Sequence, residues 1–297
     1  MTKRASVLFD APGPKARVRY LVYSIVVIVA VLAGAVWLFL QFQDKGQFTS
    51  DKWKPFTDAE IWETYLLPGV RGTLTAAALA IVLALLVGMV FGILRLSDHR
   101  LMRGFAGTLV EVARAIPVLI LMIFLYAIFA EYKVFDSDQR TLAAVVAALT
   151  IYNGSVIAEI VRAGIRSLPK GQSEAAVALG MRKNQLMRLV LLPQAITAML
   201  PALVSQMVVA LKDTALGYLI LYTELVRSGF QMGAALQNTI PALLVVGLIM
   251  IFFNSTLTML ATKLEQRLRT RTKKGRAVLA ADSILTDAAP GVDITNK

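Results

Sequence analysis

Cysteine is absent from the 297 residues, so no disulfide, iron–sulfur cluster or thiolate metal site can form. Histidine occurs once, at His99, between Asp98 and Arg100 in a short polar stretch; with no other ligand nearby it reads as a solvated loop residue. Charged residues make up only 17% of the chain, against about 25% in soluble domains. No G-x-x-x-x-G-K-[ST] sequence is present, so the chain builds no P-loop of its own. An enzyme embedded in a membrane would then have to work with carboxylates. Glu111 and Glu159, however, each stand three residues before an arginine (Arg114 and Arg162), which favours ionised, paired groups over catalytic ones. No internal repeat is visible, and one copy of the chain supplies only half of any pseudo-symmetric pathway.

What is present in excess is apolar surface: 57% of the residues, gathered in long blocks divided by short charged ones. A bilayer core of about 30 Å needs about 20 helical residues. Six segments meet that length: 21–42, 67–94, 104–130, 142–160, 195–211 and 240–262. The fold expected is therefore an all-α membrane protein with six transmembrane helices.

The net charge of +12 does not point to nucleic acid, because the basic residues flank the apolar blocks, where they meet anionic lipid headgroups. Segments 1–20, 95–103, 164–193 and 263–276 hold twenty Lys and Arg; the alternate segments 43–68, 132–140 and 212–238 hold seven. The positive-inside rule then places both termini in the cytoplasm of a multi-pass bacterial cell-membrane protein. The first apolar run, 21–42, exceeds the 7–15 residues of a signal-peptide core and reads as an uncleaved anchor following the N-terminal segment 1–20. Segment 43–66, with Asp44, Asp51, Asp58, Glu60 and Glu63, lies outside, and Thr57 is placed to cap a short interfacial helix running to Leu66. Lys263–Arg276 reads as a polybasic strip, and Ala281–Lys297 as a disordered end to the tail 269–297.

The segment Ser167–Gln194, between the fourth and fifth apolar blocks, carries the most information. Pro169 and Gly171 stop the preceding helix; Ser173 is placed to cap a new one with Glu174 in its first turn. Ala175, Ala176, Ala178 and Leu179 give it a small, weakly apolar surface, and Gly180 permits a reversal. Asn184 is placed to cap a second helix ending at Pro193. Two short helices on the cytoplasmic face suit a groove on a partner protein, and equally an interfacial loop lying on lipid.

The spacing goes further. Glu174-Ala175-Ala176, then Gly180, Val190 and Leu192-Pro193, resembles the signature loop of ABC-importer permeases, with Val190 in place of the usual Ile. Ala158-Glu159-Ile160-Val161-Arg162-Ala163-Gly164-Ile165, Pro169-Lys170-Gly171-Gln172 and Leu211-Lys212-Asp213-Thr214 resemble the polar amino acid branch of that family, and the overall likeness is to the glutamate/aspartate-type permeases of actinobacteria. The resemblance spans about Leu67–Leu268 and implies a type I ABC-importer permease core. It implies that Glu174, Ala175, Ala176, Gly180, Leu192 and Pro193 belong to coupling helices docking on a separate ATP-binding-cassette ATPase dimer. ATP and Mg would be held there, with no cofactor on this chain. A second permease subunit, identical or not, and an extracytoplasmic amino-acid-binding protein complete the implied assembly. A passive channel would have no use for such a loop.

Ionisable residues deep in a bilayer need a partner or a wet cavity. Counted along a straight helix from Gly104, Arg114 comes close to the midplane, one turn from Glu111. It is open to two roles: an intrahelical pair with Glu111, or a fixed positive charge for a substrate carboxylate. Pro117 removes a backbone bond to Ala113 and predicts a kink. The family's Arg-Gly-Thr-Pro-like stretch is followed by Gln four residues later; here Arg114-Ala115-Ile116-Pro117 is followed by Leu121. Asn153 on the fourth span and Gln206 on the fifth, past Pro201, fall at similar depth, either lining a path or bonding helices together. Lys212 and Asp213 close the outer end of the fifth span, and the resemblance suggests a gating element over Thr214–Tyr222. The expected cargo is a polar amino acid, with glutamate first and glutamine or a basic amino acid as alternatives.

Overall fold

The computed structural model describes residues 13–286, and the side chains of those up to Lys263 and of Gln266. Among the described residues the chain is entirely helical. It divides into two units, Met1–Asp58 and Ala59–Lys297.

In the first unit, α1 (Pro14–Asp44) opens with proline at its first position, where the missing N–H costs nothing. Its 31 residues exceed what a bilayer core requires. Gly46, at φ +60°, turns the chain, and Phe48 stacks on Phe39 with ring centroids 5.0 Å apart. The short α2 (Ser50–Trp53) and a 3-10 turn (Lys54–Thr57) follow, with Trp53 Nε1 donating to the Gln47 carbonyl at 2.9 Å. Thr57 does not cap: it ends that turn, its hydroxyl donating back to Lys54 O at 2.8 Å.

The second unit begins with α3 (Ala59–Ile61) and a π turn (Trp62–Leu66) that pass directly into α4 (Leu67–Leu94). The expected separate interfacial helix is therefore the first part of the span. Next come α5 (Arg100–Ala115) and α6 (Val118–Glu131), then α7 (Ser137–Arg166). The 167–194 segment contains α8 (Lys170–Ala178), α9 (Lys183–Gln185) and a π turn (Leu186–Leu191). The chain continues through α10 (Leu192–Asp213), a 3-10 stretch (Thr214–Ile220), α11 (Leu225–Ala235) and α12 (Thr239–Thr286). Helix α12 runs past Arg276, beyond the last apolar block; residues 287–297, which fall within the stretch read as disordered, lie outside the described residues.

Among the described residues five helices are long and apolar enough to cross a membrane, and six spans result if α5 and α6 count as one. Those two are bent by 99° at Ile116–Pro117. A proline inside a helix ordinarily gives a kink. Here its steric demand on the preceding residue holds Ile116 extended (φ −84°, ψ 125°), and Pro117 is extended as well (ψ 129°). Two extended residues in succession turn the kink into a break.

Helix α7 is the centre of the unit: 61% of its apolar window is buried, against at most 28% for any other spanning helix. It packs on α4 through small residues. Ala76, Ala80, Ala84, Gly88 and Gly92 recur every four residues along one face of α4 and are buried. A methyl at Gly88 would lie 2.5 Å from Ile157 Cγ2 and 2.8 Å from Gly154 O, so glycine is what permits the close approach. Two apolar clusters result. One gathers Ala76, Leu121, Met122, Val145, Leu149, Ile220 and Tyr222 around the first half of α7. The other gathers Ala84, Ile157, Val161, Leu186, Leu191 and Met199 around its second half.

Candidate functional site

The 167–194 segment forms the end cap of the second cluster. Helix α8 starts at Lys170, one residue after Pro169, so Ser173 lies inside the helix and caps nothing. It ends in a reversal: Gly180 at φ +74° lets the Gly180 and Met181 amides donate to Val177 O and Ala176 O at 2.9 and 3.1 Å. The second helix begins at Lys183, with Asn184 inside it; the Gln185 side chain accepts from the Arg182 amide at 2.9 Å. Within the motif Ala176 is buried against the cluster, while Glu174, Ala175 and Gly180 face outward. Leu192 packs against the cluster and Pro193 is exposed in the first turn of α10. Leu179 is 82% exposed and Leu189 68%, so both leave apolar surface on the outer side of the segment.

Behind this cap lies a chain of ion pairs across three helices. Arg95, at the end of α4 and only 11% exposed, donates from Nη1 to Glu159 on α7 at 2.8 Å and from Nη2 to Glu111 on α5 at 2.9 Å. Arg114 Nη2 donates to the other Glu111 oxygen at 3.1 Å, and Arg162 pairs with Glu159 one turn along α7. The Glu111–Arg114 pair read from spacing is thus present, but extended through Arg95. Through Glu111, Arg114 lies one carboxylate away from Arg95 at the end of α4, and the helix that carries it ends one residue further on, at Ala115.

Asn153 and Gln206 meet between the two apolar clusters. Gln206 Nε2 donates to Asn153 Oδ1 at 2.7 Å, and Asn153 Nδ2 donates to Leu149 O at 2.9 Å. Asn153 is fully enclosed, so the pair bonds α7 to α10; Arg114 does not join it. Leu121, where the resemblance leads one to look for Gln, is buried in the first cluster. Pro117 is exposed at the break.

At the far end, Lys212 is exposed and Asp213 half-buried as α10 closes, with no ion pair between them among the described residues. Thr214–Ile220 forms a 3-10 stretch, and Leu221 at φ +63° turns it toward α4. There Tyr222 donates its hydroxyl to Gly72 O at 2.8 Å, and the Leu225 amide donates to Thr73 Oγ1 at 3.1 Å. Glu224 is completely buried and caps α11, accepting from the Val226 and Arg227 amides at 2.8 and 2.6 Å. Burial pushes the Glu224 carboxyl up to about 7, against the pull of those two amides and Arg227.

Sequence reasoning did not single out Arg95 or Glu224, and it named Tyr222 only as the end of the expected gating element Thr214–Tyr222. Arg95 was absorbed into the count of flanking positive charges. A signal for Glu224 existed: an acidic residue directly before Leu225-Val226, in N-cap position, after a short apolar stretch.

Comparison with known proteins agrees with this arrangement. Residues 80–270 match the family described as binding-protein-dependent transport system inner membrane component. The glutamate transport system permease protein GluD of Corynebacterium glutamicum is 55% identical over 224 residues, 75% of this chain and 82% of that one. The glutamate/aspartate import permease protein GltK of Escherichia coli O157:H7 is 32% identical over 209 residues, 68% of this chain and 93% of that one. Among solved structures, an amino acid ABC transporter with histidines superposes with a TM-score of 0.62 at 29% identity, covering 68% of this chain and 92% of that chain. An inward-facing MetNI methionine ABC transporter shares the fold, with a TM-score of 0.60 at 21% identity over 71% of this chain and 99% of that one. The chain belongs to the family of inner membrane components of binding-protein-dependent transport systems, among the polar amino acid ABC permeases.

Proposed function

We propose that the chain is the permease subunit of an ATP-driven glutamate importer and supplies half of its translocation pathway. The observation that carries this is the 167–194 segment: a short helix ended by left-handed Gly180, anchored through Ala176, and presenting Glu174, Ala175 and Leu179 outward. A surface of small residues and unburied leucine fits a docking cleft on a protein partner. That partner is an ATP-binding-cassette ATPase dimer, which holds ATP and Mg. The placement of both termini in the cytoplasm, from the distribution of basic residues, puts the segment where such a dimer resides. The glutamate reading is supported by the two relatives named for glutamate and glutamate/aspartate transport. A second permease subunit and an extracytoplasmic amino-acid-binding protein complete the assembly.

On this reading Arg114 and Pro117, beside the break, and Lys212 and Asp213, at the end of α10, belong to the path, while the enclosed Asn153–Gln206 pair holds α7 to α10 rather than touching substrate. Arg114 keeps about a third of its side chain exposed (35%) while bonded to Glu111, and offers its charge to a substrate carboxylate at the inner mouth. The test is uptake of labelled glutamate into proteoliposomes holding this chain and its ATPase subunits, with unlabelled aspartate, glutamine and arginine as competitors. Uptake that continues with a hydrolysis-dead ATPase would defeat the importer reading; uptake of labelled arginine or glutamine in place of labelled glutamate would redirect the substrate.

A further inference from the structure

Lys183 opens the second helix of the 167–194 segment, yet its ammonium group does not serve that segment. It donates to Leu96 O at 3.0 Å and pairs with the Asp98 carboxylate, both in the loop between α4 and α5. Asp98 immediately precedes His99, the N-cap of α5. Apolar contacts support the same junction: Ile93, Leu96, Met181 and Met187 all pack against the second cluster. The junction also forms the floor of a cleft of about 610 Å³ lined by Asp98, His99, Met102, Lys183, Asn184 and Met187. The Lys183 hydrogen bond holds the Asp98 carboxyl below its ordinary range.

Helix α5 is thus held at both ends. Near its start, Asp98 is tied to Lys183; near its finish, Glu111 is tied to Arg95, which also grips Glu159 on α7. Immediately past that second tie comes the extended Ile116–Pro117 break. A 16-residue helix with a tie at each end and a non-helical break beyond it has the form of a lever.

We propose that Lys183 is a positioning residue for transport: it fixes α5 to the coupling segment, so that motion imposed on the segment by the ATPase is carried along α5 to the Ile116–Pro117 joint beside Arg114. The inference rests on the importer reading above. Judged by energy alone the contact is weak, since Lys183 and Asp98 side chains are 45% and 78% exposed and solvent screens such pairs. What distinguishes it is its place between two bodies 85 residues apart in sequence.

The test uses the complete transporter in proteoliposomes and measures glutamate taken up per ATP hydrolysed. Wild-type uptake that depends on hydrolysis establishes the importer reading independently. On that footing, Lys183→Ala is expected to lower the uptake-to-hydrolysis ratio by up to about fivefold, the most a solvent-screened pair can hold. The ATPase subunits should still co-purify, and Lys183→Arg should restore the ratio. A Lys183→Ala variant with an unchanged ratio would overturn the proposal. So would a proportional loss of assembly and uptake, which marks a purely structural contact. The absence of cysteine allows a second arm: Lys183→Cys with Asp98→Cys, joined by a bismaleimide. If the segment and α5 move as one body, joining them raises the ratio above that of the unjoined pair; abolition of uptake on joining would show that the contact must open, contrary to the proposal.

Discussion

Replacing Gly72 with alanine probes the clasp that closes the outer end of α4. A β-carbon there would sit 1.9 Å from Thr223 O and 3.0 Å from Thr223 C. Since Cβ contacts under 3.0 Å are essentially never seen, the 221–224 backbone must retreat by more than an ångström. Backbone cannot rotate away as a flexible side chain can. Overpacking of this kind costs about 1–3 kcal/mol. The retreat also strains two hydrogen bonds: Tyr222 Oη to Gly72 O (2.8 Å) and the buried Leu225 amide to Thr73 Oγ1 (3.1 Å). Losing the first costs about 0.5–1.5 kcal/mol, and an orphaned buried amide about 1–3 kcal/mol. The three together come to about 2.5–7.5 kcal/mol, which corresponds to a fall of the thermal midpoint on the order of 10 °C. The assay is thermal unfolding in detergent micelles, with hydrogen exchange on peptides covering residues 221–228. Gly107→Ala is the control, because nothing lies within 4 Å of its added carbon and alanine favours a helix by up to about 1 kcal/mol. A Gly72→Ala protein with an unchanged midpoint and a protected Leu225 amide would refute the reasoning.

Three further outcomes are expected. Arg114→Ala should depress uptake of glutamate while leaving subunit assembly intact; unchanged uptake would remove Arg114 from the path. Arg95→Ala should cost about 1–3 kcal/mol, less than the about 3–5 kcal/mol for breaking a buried pair, because Glu111 keeps Arg114 and Glu159 keeps Arg162; differential scanning of the purified protein measures this. Glu224 gives a pH dependence of definite sign. Its carboxyl sits near 7 when folded and starts from 4.5, so the folded state holds a proton that the unfolded state lacks between those values. Stability is then greatest below about 4.5 and declines as pH rises to about 7, by up to about 3 kcal/mol, and Glu224→Gln should flatten that part of the profile.

The spans and the coupling motif were legible because both are written in local sequence. Apolar run length alone delimits α4, α7 and α10, and the spacing from Glu174 to Pro193 needs no tertiary information. The helix starts were less secure. Ser173 and Asn184 have capping side chains, but Pro169 and the Arg182–Gln185 bond set the starts instead. The break before α6 was half legible: Pro117 announced a kink, but its 99° extent depends on Ile116 also being extended, which packing of Ile116 against the first cluster supports. Contacts between residues 64 to 152 apart, such as Arg95–Glu159, Lys183–Asp98 and Leu225–Thr73, leave no local trace in one sequence. Glu224 was the avoidable omission.

The central claim is that the 167–194 segment couples this chain to a separate ATPase. It is tested most directly by co-purifying the ATPase subunits with variants of Glu174 and Gly180. Gly180→Ala places a side chain at φ +74°, a conformation costing about 1–2 kcal/mol for any residue with a β-carbon, while nothing else contacts the site. The account predicts that the wild-type chain retains the ATPase, and that Glu174→Ala and Gly180→Ala each weaken retention and lower ATP-driven uptake together. Full retention and full uptake by the Glu174→Ala, Gly180→Ala double variant would contradict it.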